Sequence, residues 1–160
     1  MGNVVMIRMS LVATGTALML VASIPTPAAA TPELYERFLI EHPLDGTCLT
    51  ALPGLSDVWL QGNCDSQEGT VWRNPEGGEI QLETTGKSGG CLDVDVDKRV
   101  FLHASCTGSP SQTWQAGGGQ ISNDRFGDCL DGNVKAGEPV YLDPCNQTRF
   151  QHWRIQGLAR

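Results

Sequence analysis

The chain has 160 residues, with 18 Asp+Glu against 11 Lys+Arg and a formal net charge of −7. An acidic chain without a Lys/Arg cluster lacks the footprint of a nucleic-acid binder and the charge that draws proteins to anionic membrane surfaces. Its length suits one domain with its own core.

The first thirty residues read as a secretory signal peptide. Met1–Arg8 carries one positive charge, Met9–Ile24 is an apolar run, Pro25 and Pro27 break it, and Ala28-Ala29-Ala30 offers the small residues a signal peptidase reads. Cleavage is expected near Ala30/Thr31, leaving a secreted, extracellular chain. The apolar run is shorter than the ~20 residues of a membrane span and ends in prolines. No later segment replaces it, so no membrane insertion is expected. Residues 31–39 form a short lead-in. Thr31 suits an N-cap and Pro32 a first helical turn, which predicts a short helix from Thr31 through Phe38.

From Ile40 to residue 160 one unit is written three times, over about 40–79, 80–118 and 119–160. Cys48 and Cys64 lie 16 apart, Cys91 and Cys106 lie 15 apart, and Cys129 and Cys145 lie 16 apart. Trp72, Trp114 and Trp153 each follow the second cysteine by 8 residues. An even cysteine count in an exported chain points to disulfides. Self-similar units make the economical pairing Cys48–Cys64, Cys91–Cys106 and Cys129–Cys145. Each closes a loop of about 15 residues and contributes about 3 kcal/mol in the chain-entropy model. A zinc site fails on spacing: there is no C-x-x-C pair, and His42, His103 and His152 are scattered.

Within the units, Cys48-Leu49-Thr50, Cys91-Leu92-Asp93 and Cys129-Leu130-Asp131 follow the first cysteine. Val58-Trp59-Leu60, Val100-Phe101-Leu102 and Val140-Tyr141-Leu142 precede the second, and Ile40, Leu82 and Ile121 lead each unit. Short alternating apolar runs bounded by Gly, Asn, Asp and Pro predict strands joined by turns. Alternation puts the Val and Leu of each V-x-L triplet on one face, toward a core, and the middle aromatic on the other. The three later tryptophans are expected to be core.

Three units with C-L-D, V-x-L-x-x-C and Q-x-W in register resemble the ricin B-type (Q-x-W) β-trefoil lectins. The third unit carries the match best, with Cys129-Leu130-Asp131, Cys145 and Gln151-His152-Trp153. The second has Asp93, Cys106 and Gln112-Thr113-Trp114; in the first, Thr50 replaces the aspartate and Thr70 the glutamine. The resemblance implies an all-β β-trefoil: twelve strands, six closing a short barrel and six capping it, with pseudo-threefold symmetry and one disulfide per unit. It also implies a carbohydrate-binding module for galactose or N-acetylgalactosamine-type glycans and glycoconjugates, with shallow pockets, one per unit at most.

Such a pocket needs a carboxylate for vicinal hydroxyls, an aromatic face for the apolar side of the ring, and an amide. The first unit, with Thr50 and Gln61, lacks the set. The second has Asp93 and Gln112; its aromatic position falls on Ala104 counted from the cysteine, or on His103 counted from the V-x-L strand. The third has Asp131 and Gln151, with Asp143 at the aromatic position and Phe150 at the asparagine position. The aromatics Trp59, Phe101 and Tyr141 either replace the missing ring, or form a partner-binding surface, or are covered by their own unit's loop. The carbohydrate-binding candidates are therefore Asp131, Tyr141, Asp143 and Gln151, then Asp93, Phe101, His103 and Gln112.

Other signals are weaker. Asp93-Val94-Asp95-Val96-Asp97 lacks the glycine and distal glutamate of an EF-hand and reads as a solvated turn. Asn146-Gln147-Thr148 fits the N-glycosylation sequon. No catalytic or cofactor motif is present, so no enzyme is expected. The rival reading is a protein-interaction subunit with eroded pockets, similar to the lectin-like subunits of cytolethal distending toxins.

Overall fold

The computed structural model describes residues 37–62, 64–65, 69–74, 78–84, 87–134 and 137–158. The signal segment and the start of the predicted helix lie outside the described residues. Twelve strands are present among them: β1 (Arg37–His42), β2 (Thr47–Ala51), β3 (Val58–Gln61), β4 (Trp72–Arg73), β5 (Gln81–Thr84), β6 (Lys87–Val94), β7 (Val100–His103), β8 (Trp114–Gly117), β9 (Gln120–Asn123), β10 (Cys129–Asp131), β11 (Tyr141–Asp143) and β12 (Arg154–Gly157). One 3-10 turn, Arg149–Gln151, precedes β12.

Six of these strands ring a barrel. β1 pairs with β12 on one side and β4 on the other, β4 with β5, and β8 with β9. A bridge between Glu79 and Thr113 joins the approach to β5 with that to β8. The Trp153 N–H donates to the Gly119 carbonyl at 2.7 Å, joining the approaches to β12 and β9. The other six strands form three hairpins, β2–β3, β6–β7 and β10–β11. These meet one another across the cap: Val140 N–H donates to Val58 O at 2.9 Å, and Val100 N–H to Val140 O at 3.2 Å. This is a β-trefoil. Closure removes the exposed strand edges an open sheet would present.

The repeated sequence positions build the core. Val and Leu of all three V-x-L triplets are buried, as are Leu49, Leu92 and Leu130 and the three tryptophans. Each indole also satisfies its polar edge. Trp72, Trp114 and Trp153 donate Nε1–H to the carbonyls of Leu49, Leu92 and Leu130, at 2.9 Å in each case. A buried indole needs such a partner, and the C-L dipeptide supplies it. The disulfides are Cys48–Cys64, Cys91–Cys106 and Cys129–Cys145, one within each unit.

One expectation is corrected. Arg37 and Phe38 belong to β1, so no helix runs through Phe38. Phe38 is fully buried and pairs with Trp72 on β4 and Gly157 on β12. Tertiary pairing with two barrel strands outweighs the local capping signal, since propensity is a weak prior.

Candidate functional site

The hairpin register assembles the candidate residues. Asp93 on β6 lies directly opposite Phe101 on β7, and Asp131 on β10 directly opposite Tyr141 on β11. In the first unit the same pair is Thr50 and Trp59. Directly opposed residues share a face, with Cβ atoms about 4.5–5.5 Å apart. The middle aromatic of each V-x-L triplet therefore stands beside the carboxylate position of its own unit. All three rings are half-buried. Their backbones bridge to the next hairpin: Trp59 to Pro139, Phe101 to Asp57 and Tyr141 to Arg99.

Register also decides which residue occupies the aromatic position of each pocket. His103 pairs with Cys91, Asp143 with Cys129 and Gln61 with Cys48. His103, not Ala104, is thus the structural equivalent of Asp143 and Gln61. Its Nδ1 lies 2.7 Å from Ser105 O, and its ring meets Phe101 edge-on with centroids 6.2 Å apart. Gly90, before Cys91, has φ +110°, and a Cβ there would fall 2.5 Å from His103 O. Only glycine fits that approach.

The aspartates and glutamines are paired, twice, in the same way. Gln112 Nε2 donates to Asp93 Oδ2 at 2.9 Å, while Val94 N–H donates to Asp93 Oδ1 at 2.7 Å. Gln151 Nε2 donates to Asp131 Oδ2 at 3.1 Å, while Asn133 N–H donates to Asp131 Oδ1 at 2.7 Å. Each glutamine then staples the loop after the second cysteine. Gln112 Oε1 accepts from Thr107 N–H at 2.7 Å, and Gln151 Oε1 from Asn146 N–H at 2.9 Å. The amides also donate to Ser105 O at 3.0 Å and Pro144 O at 3.1 Å. Asp93 and Asp131 are only 7% and 3% exposed. Each carboxylate is thereby held in one orientation and keeps spare lone pairs, since a carboxylate offers about four acceptor sites.

The first unit has neither member of the pair. Thr50 Oγ1 donates to Cys48 O at 3.0 Å and Thr70 Oγ1 to Asp65 O at 3.1 Å, each satisfied by a local carbonyl. A buried aspartate without its amide partner is costly, and with both absent no such charge is left unmatched.

The third site has one carboxylate more than the second, since Asp143 stands where the second has His103. Burial, with the charges of Asp131 and Asp143, raises the Tyr141 phenol above its ordinary value of 10.0, against a hydrogen bond from Asn133 that lowers it. The phenol is therefore a neutral donor at physiological pH. The sequence does not single out Asn133 or Thr107, and it marks Asn146 only as the start of a glycosylation sequon. Their signal is faint: each contributes a backbone N–H, which any non-proline residue supplies, to a side-chain oxygen two or five residues away. In the acidic 93–97 run, Asp95 Oδ1 accepts from Asp97 and Arg99 N–H, both at 2.9 Å, so it folds its own turn. No helix among the described residues is long and apolar enough to cross a membrane.

The family model described as ricin-type beta-trefoil lectin domain matches residues 36–153. Among solved structures, a designed three-fold symmetric protein, ThreeFoil, aligns with a TM-score of 0.61 at 19% identity, over 77% of this chain and 99% of that one. The earthworm R-type lectin C-half, solved in complex with GalNAc, aligns with a TM-score of 0.59 at 17% identity, over 76% of this chain and 98% of that one. A non-toxic homologue of type II RIPs from Momordica charantia (bitter gourd), solved with α-methyl-D-galactoside, aligns with a TM-score of 0.64 at 21% identity, over 75% of this chain and 47% of that one. At these identities the likeness shows the shared fold. No curated protein sequence matches the chain.

Proposed function

The chain belongs to the ricin-type β-trefoil lectin domain family, and from that premise we propose that it acts as a secreted, non-catalytic carbohydrate-binding module. The sugars are galactose or N-acetylgalactosamine-type glycans, held at the Asp131–Tyr141 face and the Asp93–Phe101 face. One observation carries the reading: in two units a buried carboxylate is fixed by a glutamine amide and a nearby backbone N–H, with an aromatic ring directly across the hairpin. The fixed carboxylate is a preorganised acceptor for vicinal hydroxyls, with charge-assisted bonds of about 1.5–3 kcal/mol each. The ring supplies the apolar contact that His103 and Asp143 do not. Each face is shallow, so single-site affinity is weak and clustered glycans are bound through avidity.

The test is a glycan array probed with residues 31–160 and with Asp131→Ala and Asp93→Ala. Galactose-type binding lost in one variant supports the reading and identifies the working unit. A blank array with folded, oxidised protein sinks it.

A second reading, a subunit that holds a partner protein, is favoured by the first unit. Its pocket residues are Thr50 and Thr70, and its β2–β3 loop exposes Leu52 and Leu55. Purification of the secreted protein from its source with a stoichiometric partner would support that reading.

A further inference from the structure

We infer that His42 is a positioning residue for the Asp131 site and makes that site, but not the Asp93 site, sensitive to protonation. The binding part of this inference rests on the function proposed above; the structural part does not.

His42 ends β1 in the first unit yet lies beneath the third. It is 1% exposed, and its ring packs on Trp153 with centroids 5.2 Å apart. Its Nδ1 is 3.1 Å from Asp45 Oδ1, which also accepts from Thr47 N–H and Oγ1–H. An ionised carboxylate only accepts, so Nδ1 carries the hydrogen, and in the neutral ring Nε2 is a bare lone pair. That Nε2 is buried and has no hydrogen-bond partner among the described residues.

What lies against it is the turn that holds Asp131. A Cβ on Gly132 would be 3.3 Å from His42 Cδ2 and Nε2, and 3.2 Å from Trp153 Cη2. Gly132 N–H donates to Phe150 O at 2.9 Å, and the next amide, of Asn133, orients the Asp131 carboxylate. The imidazole edge is therefore in packing contact with the residue between the carboxylate and the amide that fixes it.

The other junction shows what a complete arrangement looks like. Asn123 ends β9 as His42 ends β1, and their carbonyls accept from Gly127 and Gly46 N–H at 2.8 and 3.0 Å. Asn123 Nδ2 donates to Ser111 O at 2.9 Å and Thr113 O at 3.3 Å, on either side of Gln112, and its Oδ1 accepts from Arg125 N–H at 3.1 Å. The support under the second site is fully bonded and has no ionisable group. The support under the third site is an imidazole with one nitrogen unmatched.

A proton added to His42 goes to Nε2. It places a charged N–H where no acceptor stands, a costly state for a buried group. Among the described residues, the charged groups near it are Asp45 on its own turn, Asp131 beside Gly132, and the Glu41–Arg154 pair one residue back on β1 and β12. Asp45 engages the other nitrogen, the Asp131 oxygens accept from Gln151 and Asn133, and Glu41 is matched by Arg154. None of them gives Nε2 an acceptor in this geometry. Relief requires the ring or the Gly132 turn to move, and either displaces the Asn133 amide from Asp131.

The experiment is hydrogen-exchange protection at the Asn133 and Val94 amides, with the His42 ring followed by NMR, from about pH 8 to about pH 5, where imidazoles change charge. Protection at Asn133 is expected to fall about tenfold or more in step with protonation of His42, while Val94 stays flat. In His42→Asn the Asn133 curve flattens. A flat Asn133 curve in the native chain while His42 protonates, or a His42 that stays neutral throughout, overturns the inference whether or not the variant folds. A parallel arm measures α-methyl-galactoside binding in Asp93→Ala, which retains the third site, and in Asp131→Ala, which retains the second. Affinity should weaken on acidification in the first and hold in the second; equal acid dependence in both overturns the selective coupling. Absence of sugar binding alongside a responding Asn133 amide would reject the proposed function and keep the coupling of His42 to the turn.

Discussion

Asp131 and Tyr141 are direct cross-strand partners on β10 and β11, so a carboxylate locked by Gln151 stands beside a half-buried phenol on one face of the hairpin. A ring placed there covers part of any ligand that bonds the carboxylate. Tyr141→Ala should weaken galactoside binding at the third site by about 0.5–1.5 kcal/mol, or roughly two- to thirteenfold. Titration calorimetry in an Asp93→Ala background isolates that site, and an unchanged affinity would remove Tyr141 from it.

The first unit offers a test of why Asp and Gln occur together. Thr50 is buried where the other units have Asp93 and Asp131. Thr50→Asp alone should destabilise by several kcal/mol, because the charge is buried without its amide. Adding Thr70→Gln should recover part of that loss, with a favourable coupling of about 0.5–3 kcal/mol. Urea unfolding of the two single variants and the double variant measures the coupling; strict additivity would show that the pairing is incidental.

The three indole–carbonyl bonds predict a common cost. Trp114→Phe keeps an aromatic in the core but leaves Leu92 O without its donor. Stability should fall by at least about 1–3 kcal/mol, with a further loss from the smaller ring. Trp72→Phe and Trp153→Phe should behave alike, since their bonds to Leu49 and Leu130 have the same length. Chemical denaturation of the three variants checks this.

Two titrations set opposite pH limits. Burial raises the Asp45 carboxyl, but hydrogen bonds from Thr47 and His42 and the His42 charge outweigh it, so its folded pKa lies below 3.8. Its contribution is present above the unfolded carboxylate range and is lost as pH falls through the folded value. Tyr141 is shifted the other way, above 10.0 by burial and by Asp131 and Asp143. Its contribution is complete below pH 10.0 and is lost as pH rises through the folded value. Asp45→Asn should blunt the acid limb of a stability profile and Tyr141→Phe the alkaline limb; identical profiles would contradict both assignments.

Each disulfide closes a short loop between β2, β6 or β10 and the segment after the following strand. Removing Cys129 and Cys145 together should cost about 3 kcal/mol through the unfolded state. Because that loop precedes Asn146, which bonds Gln151, the same variant should lower galactoside affinity at the third site more than at the second. Paired melting and binding measurements separate the two effects.

Much of this protein is written locally. The cysteine spacing, the V-x-L alternation and the tryptophan offset each depend on strand period or loop length, and these act within one unit of about forty residues. They determine the three intra-unit disulfides, the buried Val, Leu and Trp positions, and the sides on which Phe101 and Tyr141 stand. Tertiary structure decided the rest. Which of Ala104 and His103 matches Asp143 depends on register with Cys91, and a one-residue slip reverses every face. That Phe38 is strand depends on partners at Trp72 and Gly157, and Glu41 meets Arg154 across a separation of 113 residues only because the barrel closes. The pairing of Asp93 with Gln112 joins a strand to a turn of the same unit, and the seating of His42 beneath Gly132 joins two units. The repeat marks where Asp and Gln fall in the second and third units, but only the fold brings such partners together.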